Sequence, residues 1–201
     1  ETLEEYTHII PMKNTGRLCV FSASGSMYQI KALSIPKVKS RDKGVLIQNL
    51  CKIGKDDIIT YIAFEDLFES QLLFVSKSGY IKLVSGIEFE TNRSVIASTK
   101  LDQEDSLICA SPVTVDESIE NNRNILMITE KGSVLLFPLN QTGEFKKTSK
   151  GLKGISLPKG DSLAYAAIVA PDETDIEFNN KHYNPQKIKL KNRNDKPYKI
   201  K

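Results

Sequence analysis

The sequence is poor in the residues that most often build metal, redox and stacking sites. Its 201 residues include no tryptophan, three cysteines and two histidines. Cys19, Cys51 and Cys109 lie far apart and form no CxxC pair, so buried, reduced thiols are favoured over a zinc site. Aromatic residues make up 7% of the chain and fall mostly in apolar runs, so no stacking platform for single-stranded nucleic acid is indicated.

Long apolar segments are also absent. No apolar run approaches the about 20 residues that a membrane helix needs, and the acidic start, Glu1 to Glu5, has neither the basic region nor the apolar core of a signal peptide. No stretch has a sustained 3.6-residue apolar period with caps, and no glycine loop of the phosphate-binding kind leads into a helix. The first residue is not methionine, so we expect the chain to be a piece of a larger protein.

One sequence unit occurs three times. It consists of an apolar run, a small polar turn centred on glycine, and a second apolar run, at Leu18–Ile30, Leu72–Leu83 and Ile125–Phe137. The runs are rich in residues that suit a pleated, half-buried surface, and glycine adopts the positive φ of a tight turn without steric cost. Each unit therefore predicts a β-hairpin. The turn glycines are 54 and 53 residues apart, which is typical of a solenoid, a propeller or a related array.

Turn signals around the hairpins give each unit about four short strands, which predicts an all-β fold. We expect a propeller-like domain over residues 1–170, with units at about 9–64, 72–113 and 125–170. Residues 181–201 carry seven Lys and one Arg against Asp195, whereas the rest of the chain is slightly acidic. We therefore expect a separate basic segment over 171–201, which could complete a blade and contact a polyanion.

Less regular stretches give further expectations. Strands are predicted at Val45–Leu50 and Lys187–Lys191 from their apolar or alternating character, and an edge strand at His8–Met12, where proline is tolerated. The stretch Glu65 to Ser70, which holds three acidic residues, is predicted to form a loop.

Three recurring acids raise the question of a calcium site. Asp57, Asp105 and Asp161 each lie in a polar turn between two predicted strands. None has the alternating spacing of a calcium loop, so turn carboxylates are favoured. The serines of Ser22–Ser26 form no nucleophile elbow, because the equivalent turns lack the motif and neither histidine has a supporting acid at a recognisable spacing. The sequence shows no catalytic constellation, no metal site and no cofactor site.

Basic residues cluster in the segments that follow the hairpins. In the first and third units a basic run ends on Lys-Gly before the next strand, at Lys43-Gly44 and Lys150-Gly151. In a circular array these segments would lie on one rim and form a positive stripe, which suits a bent phosphate backbone. Solvated loop lysines are the alternative, and Glu88 and Glu90 beside Arg93 weaken the stripe in the second unit. The candidate DNA-binding residues are Lys37, Lys39, Arg41, Lys43, Arg93, Lys146, Lys147, Lys150, Lys153, Lys189 and Lys191.

From Leu18 to Ala170 the order of these motifs resembles the C-terminal domain of the A subunit of bacterial type IIA topoisomerases, DNA gyrase and topoisomerase IV. The resemblance lies in FSASGSMYQIKALSIPKVKSRDKGVLIQNL, LLFVSKSGYIKLVSGIEFE and ILMITEKGSVLLFPL with SKGLKGISLPKGDSL. The threefold order is more specific than any single motif.

The resemblance implies a β-pinwheel of about four blades with a repeat of roughly 50 residues, in which neighbouring blades exchange strands. It implies that the basic rim binds and bends double-stranded DNA with little sequence specificity, and presents a segment to the catalytic core of its own subunit. The ATPase subunit of the holoenzyme would be a further partner. This chain would itself be non-catalytic, within an ATP-dependent enzyme that is cytoplasmic and associated with the nucleoid.

The sequence departs from the gyrase pattern in one motif. The glutamine-arginine-arginine-glycine-glycine box of gyrase is absent, and Lys39–Gly44 is at best a degenerate relative. Either the box lies before Glu1 or the chain is of the topoisomerase IV type, which we favour. A protein-binding propeller without DNA affinity is the alternative function, favoured by acidic stretches at Glu65–Glu69 and Asp116–Glu120. A hydrolase on a propeller scaffold is a third, for which the sequence offers no site.

Overall fold

The described residues form three four-stranded antiparallel sheets and one two-stranded sheet. The computed structural model describes residues 6–39, 42–114 and 123–200. The strands are β1 (Arg17–Ser22), β2 (Ser26–Lys31), β3 (Ile58–Ala63), β4 (Ser70–Ser76), β5 (Tyr80–Ser85), β6 (Val95–Ala97), β7 (Leu107–Thr114), β8 (Asn124–Thr129), β9 (Ser133–Pro138), β10 (Leu152–Lys153), β11 (Leu163–Val169), β12 (Ile176–Phe178), β13 (Lys181–Tyr183) and β14 (Tyr198–Lys199). Two short helices, α1 (Ile47–Leu50) and α2 (Phe64–Phe68), complete it, with 3-10 turns at Ala32–Ser34, Gly86–Phe89, Leu139–Gln141 and Pro185–Lys187.

Each four-stranded sheet is a blade that borrows its last strand from the next unit. The strand orders are β3-β1-β2-β6, β10-β5-β4-β7 and β11-β8-β9-β14. Strands β6, β10 and β14 follow the hairpin of the next unit in sequence but pair with β2, β5 and β9 of the preceding one. This exchange ties neighbouring blades together through backbone hydrogen bonds and confirms the expected all-β, pinwheel-like fold.

All three predicted hairpins are confirmed. They pair as β1–β2, β4–β5 and β8–β9. The turn glycines Gly25, Gly79 and Gly132 have φ of +78°, +85° and +76°, the left-handed region that glycine enters without steric cost.

The hydrophobic core lies between blades. On β4, Leu72 and Phe74 belong to the cluster shared with the first blade, whereas Leu73 and Val75 belong to the cluster shared with the third. Successive strand residues point to opposite faces, so a blade covered on both sides needs an unbroken apolar run rather than an alternating one. Phe21 packs edge-on against Phe89 at 5.5 Å between ring centroids, which adds an aromatic contact to the first interface.

The blades have an inner and an outer edge. Strands β3, β7 and β11 are the unexchanged edge strands of the three blades, and β7 lies against both β3 and β11. The opposite edges hold the exchanged strands β6, β10 and β14. These exchanged strands, and the segments that lead into them, therefore form the outer side of the array.

An aspartate holds each hairpin turn. The backbone N–H of the residue before the turn glycine donates to Asp56 Oδ1 in the first blade (from Ser24, 3.2 Å), to Asp105 Oδ1 in the second (from Ser78, 2.9 Å) and to Asp161 Oδ1 in the third (from Lys131, 3.3 Å). The assignment of Asp105 and Asp161 as turn carboxylates is confirmed. In the first unit the role falls to Asp56 rather than the predicted Asp57.

Replacing Asp105 tests this turn, because its carboxylate also accepts from the Ser106 N–H at 2.9 Å and from the Ser78 hydroxyl. We expect Asp105→Ala to lower the free energy of unfolding by about 1–3 kcal/mol, since bonded N–H groups lose their acceptor. Asp57→Ala, with no such contact to Ser24, is the matched control and should change stability by less than about 0.5 kcal/mol. Urea unfolding of both variants makes the comparison, and equal losses would contradict it.

The strand predicted at Val45–Leu50 is wrong. Residues Ile47–Leu50 form the single helical turn α1, with the Cys51 N–H donating to Ile47 O at 3.0 Å. The segment occupies the place of an exchanged strand in the first unit, but no preceding hairpin among the described residues pairs with it. Without a partner strand its backbone groups are satisfied locally, and Leu46 is left 71% exposed.

The prediction for the acidic stretch before β4 is also corrected. The predicted acidic loop Glu65–Ser70 overlaps α2, which begins at Phe64 and ends at Phe68, and Ser70 already belongs to β4. Glu65 and Asp66 lie in the first turn of α2, where acids are favourable, while Phe64 and Leu67 are buried.

The predicted strand Lys187–Lys191 begins in a 3-10 turn, and Leu190 makes one isolated bridge to Leu136. Ile188 is buried whereas Leu190 is 52% exposed, so the two residues do not share a buried face. Residues 8–12 form no strand; Ile10 and Met12 pack on the outer cluster of the first blade.

The C-terminal segment repeats the order of the second and third units. The hairpin β12–β13 is followed by a 3-10 turn, a connecting segment and the exchanged strand β14, which pairs with β9. Three four-stranded blades and this hairpin thus make up the described structure. None of the helices among the described residues has the length and apolar character to cross a membrane.

Candidate nucleic-acid interface

Four connectors lead from the 3-10 turns toward the next element. We define connector 1 as residues 35–46, connector 2 as 90–94, connector 3 as 142–151 and connector 4 as 188–197. Connectors 2, 3 and 4 each run into an exchanged strand and therefore lie along the outer side of the array. Connector 1 runs into α1.

Connector 3 is fixed against the 3-10 turn that precedes connector 2. The Lys147 N–H donates to Glu88 Oε2 at 2.8 Å, and the Lys146 ammonium lies 3.0 Å from Glu88 Oε1. The Lys147 ammonium also donates to the Glu88 carbonyl oxygen. Burial acts to raise the pKa of Glu88, but the hydrogen bonds and charges of Lys146 and Lys147 outweigh it and hold that pKa below its usual range. Glu88 is therefore an anion that neutralises part of the positive charge here.

A groove of about 500 Å³ separates connectors 2 and 3. Its lining includes Arg93 from connector 2, Lys147 from connector 3 and Lys100, which follows β6. Three cations from separate segments thus face one open groove, with Glu90 as the acid among its lining residues.

Two more cations lie beside this groove. Lys100 and Lys150 line the same small cleft, in which Lys150 pairs with Asp102. The ammonium groups of Lys150 and Lys153 both lie over the ring of Tyr80, at 5.8 and 4.5 Å from its centroid. The ring brings both charges to one place on the second blade.

Connector 4 continues the series onto the third blade. Its Arg193 donates through Nε to the Gln141 carbonyl oxygen at 3.0 Å and through a terminal nitrogen to the Lys153 carbonyl oxygen. Arg193 therefore lies directly beside Lys153. We call the resulting continuous path of cations the outer rim: Arg93, Lys100, Lys146, Lys147, Lys150, Lys153 and Arg193.

The other candidate residues lie on connectors 1 and 4, and those that the structure describes make no hydrogen bond or ion pair to the side chains of the outer rim. Lys37, Lys39 and Lys43 are exposed on connector 1, and within the described residues no hydrogen bond or ion pair links connector 1 to connectors 2–4. Arg41 lies outside the described residues. Lys189 is exposed, and Lys191 lies over the Tyr198 ring while donating to the Lys196 carbonyl oxygen. A role for these residues in binding DNA stays a prediction.

Sequence reasoning missed Lys100 and Arg193. Lys100 stands alone between Thr99 and Leu101, and Arg193, although it lies in the basic segment 181–201, has an asparagine on each side. Lys100 and Arg193 belong to the outer rim only because strand exchange carries both residues onto a neighbouring blade. A signal was present in the repeat itself, because both lie in stretches that follow a hairpin.

The buried thiols offer no competing site. Burial raises the pKa of both Cys19 and Cys109 to about 12, so neither ionises near neutral pH. In the described part of the chain, no three His, Cys, Asp or Glu side chains are grouped so as to hold a metal ion.

The exchanged four-stranded blades make this chain a propeller-like domain, and the outer side of the array carries the cations described above. The family model described as "DNA gyrase C-terminal domain, beta-propeller" matches residues 16–64, 70–114 and 123–170, one segment for each blade. The chain belongs to this family, as the resemblance in its motifs predicted.

Individual relatives agree with this assignment. The chain is 30% identical to the A subunit of DNA gyrase from Helicobacter pylori over 163 residues, which are 79% of this chain and 19% of the relative. Its fold matches the C-terminal domain of a DNA topoisomerase IV with a TM-score of 0.84 at 17% identity, over 96% of this chain and 61% of the other. It also matches a DNA gyrase A C-terminal domain with a TM-score of 0.67 at 23% identity, over 93% and 60% of the two chains. The chain thus spans about a fifth of the length of the curated relatives that it matches.

Proposed function

We propose that this domain binds double-stranded DNA along the outer rim and bends it, as a non-catalytic part of a type IIA topoisomerase A subunit. The continuous path of cations from Arg93 to Arg193 supports the proposal most directly, because it spans three blades. Phosphate contacts made by Lys and Arg supply affinity through counterion release and carry no sequence information. The proposal therefore includes little sequence preference.

Strand exchange gives the proposed interface its shape. Connectors 2, 3 and 4 belong to successive units, and each is hydrogen-bonded to the unit before it. DNA that follows these connectors would contact successive blades in turn, and a duplex held this way must bend if the blades are arranged around an axis. We propose that the bent segment is presented to the catalytic core of the same subunit, with the ATPase subunit completing the enzyme.

Equilibrium binding to labelled duplexes tests the proposal. Fluorescence anisotropy with two unrelated duplexes of about 40 base pairs should give dissociation constants within about threefold of each other, because the contacts are to phosphates. Energy transfer between two dyes placed about 20 base pairs apart, roughly 70 Å along a straight duplex, should rise on binding if the DNA bends. A requirement for one particular sequence, or unchanged energy transfer at saturation, would contradict the corresponding part of the proposal.

A protein-binding domain is the second candidate, and one observation favours it. Glu88 and Asp102 pair with Lys146 and Lys150, so part of the rim is already neutralised by its own acids. If no duplex binds at about 50 mM salt, where phosphate contacts are strong, this function replaces DNA binding. The acidic stretch Asp116–Glu120, which supported this alternative in the sequence, lies outside the described residues.

A further inference from the structure

Lys82 is a charged residue in the interior of the second blade. It lies in β5 and is 1% exposed. Its Nζ donates to the carbonyl oxygens of Lys146 at 3.2 Å, Lys147 at 2.9 Å and Ser149 at 2.7 Å. An ammonium group has three N–H donors, so every donor has an acceptor. A buried ammonium is tolerated only when it is paired in this way.

All three acceptors belong to connector 3. Three carbonyl groups directed at one nitrogen fix the backbone of residues 146–149, and the Ser149 N–H closes the turn by donating to Lys146 O at 3.0 Å. With its carbonyl turned inward, Lys146 leaves 83% of its side chain exposed, and Lys147 reaches the groove that Arg93 also lines.

The equivalent positions of the other blades show that the strand does not need a lysine here. Counting three residues from each turn glycine, Lys82 corresponds to Tyr28 in the first blade and Leu135 in the third. Both of these residues are buried. The lysine therefore serves the connector rather than the strand.

We propose that Lys82 is a positioning residue of the outer rim: its ammonium holds the backbone of connector 3 so that Lys146, Lys147 and Lys150 face the DNA. The role in DNA binding rests on the proposed function. The hold on connector 3 does not, because it is a property of the protein alone.

The surroundings of Lys82 make the clamp sensitive to pH. Its Nζ lies 5.7 Å from the Phe74 ring centroid, with Glu88, Lys146 and Lys147 on the connector side. Across the small cleft lie Tyr80, Lys100, Asp102, Asp105 and Lys150. Burial lowers the pKa of Lys82 from its usual value near 10.5 to about 8, against the opposing attraction of Glu88. Because this pKa is lower in the clamp than in a state that exposes Lys82 to water, raising the pH through 8 favours the clamped state over its opening.

Lys82→Leu tests the clamp, because the third blade carries Leu135 at the same position. Lys159→Leu, in an exposed turn before β11, is the matched control with the same loss of charge. At pH 7.5 we expect trypsin to cleave after Lys146, Lys147 or Lys150 about tenfold faster in Lys82→Leu than in the wild type or the control, since cleavage follows local opening. Duplex affinity should fall about tenfold, equivalent to losing about two phosphate contacts.

The pH profile distinguishes the clamp from a general loss of structure. Between pH 7 and pH 9 the ratio of the trypsin cleavage rate of Lys82→Leu to that of the wild type should rise, because only the wild-type clamp becomes more stable as Lys82 loses its proton. Unchanged trypsin cleavage in Lys82→Leu would overturn the clamp, and so would parallel pH profiles. If the wild type bound no duplex but trypsin still cleaved Lys82→Leu faster than the wild type, the proposed function would be refuted and the clamp would stand.

Discussion

Removing four charges from the outer rim is expected to weaken duplex binding by about a hundredfold at about 50 mM salt. Each phosphate that the protein no longer neutralises keeps its condensed counterion, so the favourable release of that ion no longer contributes to binding. The variant combines Arg93→Gln, Lys100→Gln, Lys146→Gln and Lys153→Gln. All four side chains are exposed, so the free energy of unfolding should change little at each site, by about 0.5 kcal/mol or less. Anisotropy titrations measure the affinity, and thermal unfolding confirms that the fold is retained.

The control for this variant removes the same number of charges elsewhere. The control sites are four exposed lysines that lie outside the connectors and outside the strands: Lys52, Lys55, Lys131 and Lys159. Changing these to Gln should weaken binding by no more than about fivefold, through the net charge alone. If the two quadruple variants lose affinity equally, the rim has no special role and binding depends only on overall charge.

Gly86→Ala is expected to destabilise the domain more than any surface change. A Cβ at Gly86 would lie 1.6 Å from the Leu67 carbonyl oxygen and 2.7 Å from the Ser70 carbonyl oxygen. Both obstacles are backbone atoms, one in α2 and the other in the first residue of β4, so they cannot move aside as a flexible side chain could. We expect a loss of at least about 3 kcal/mol, which exceeds the usual cost of overpacking a core.

Gly44→Ala is the matched control for this substitution. A Cβ at Gly44 meets no atom within 4 Å, so its effect should stay within about 0.5 kcal/mol. For a domain of this size the Gly86 change corresponds to a fall in Tm of roughly 6–12 °C. If calorimetry gave similar Tm values for the two variants, the position of the α2 backbone against Gly86 would be wrong.

The repeat made most of the fold predictable. Three glycines at nearly equal spacing located the hairpins, since a tight turn restricts the residue at its centre far more than a strand restricts its own residues. Strands that depend on exchange were harder to locate. Val45–Leu50 reads as a strand because it is apolar, yet whether it pairs depends on a neighbour that its own residues do not specify.

The site was predictable in part, for a similar reason. Runs of lysine identified connector 3, but Lys100 and Arg193 joined the rim only through the folded arrangement. Lys82 was missed altogether. Between Ile81 and Leu83 the sequence suggests the outward-facing residue of an alternating strand, whereas in the structure connector 3 covers Lys82 and buries it. The apolar residues at Tyr28 and Leu135 were the signal that this position is buried.

The salt dependence of duplex binding tests the central claim most directly. If the outer rim binds through phosphate contacts, the logarithm of the association constant should fall linearly with the logarithm of salt concentration, by on the order of a thousandfold between 50 and 200 mM. The four-charge rim variant should show a slope shallower by about 0.9 for each phosphate that it no longer neutralises. An affinity that does not change with salt, or a rim variant whose slope equals that of the wild type, would contradict the account.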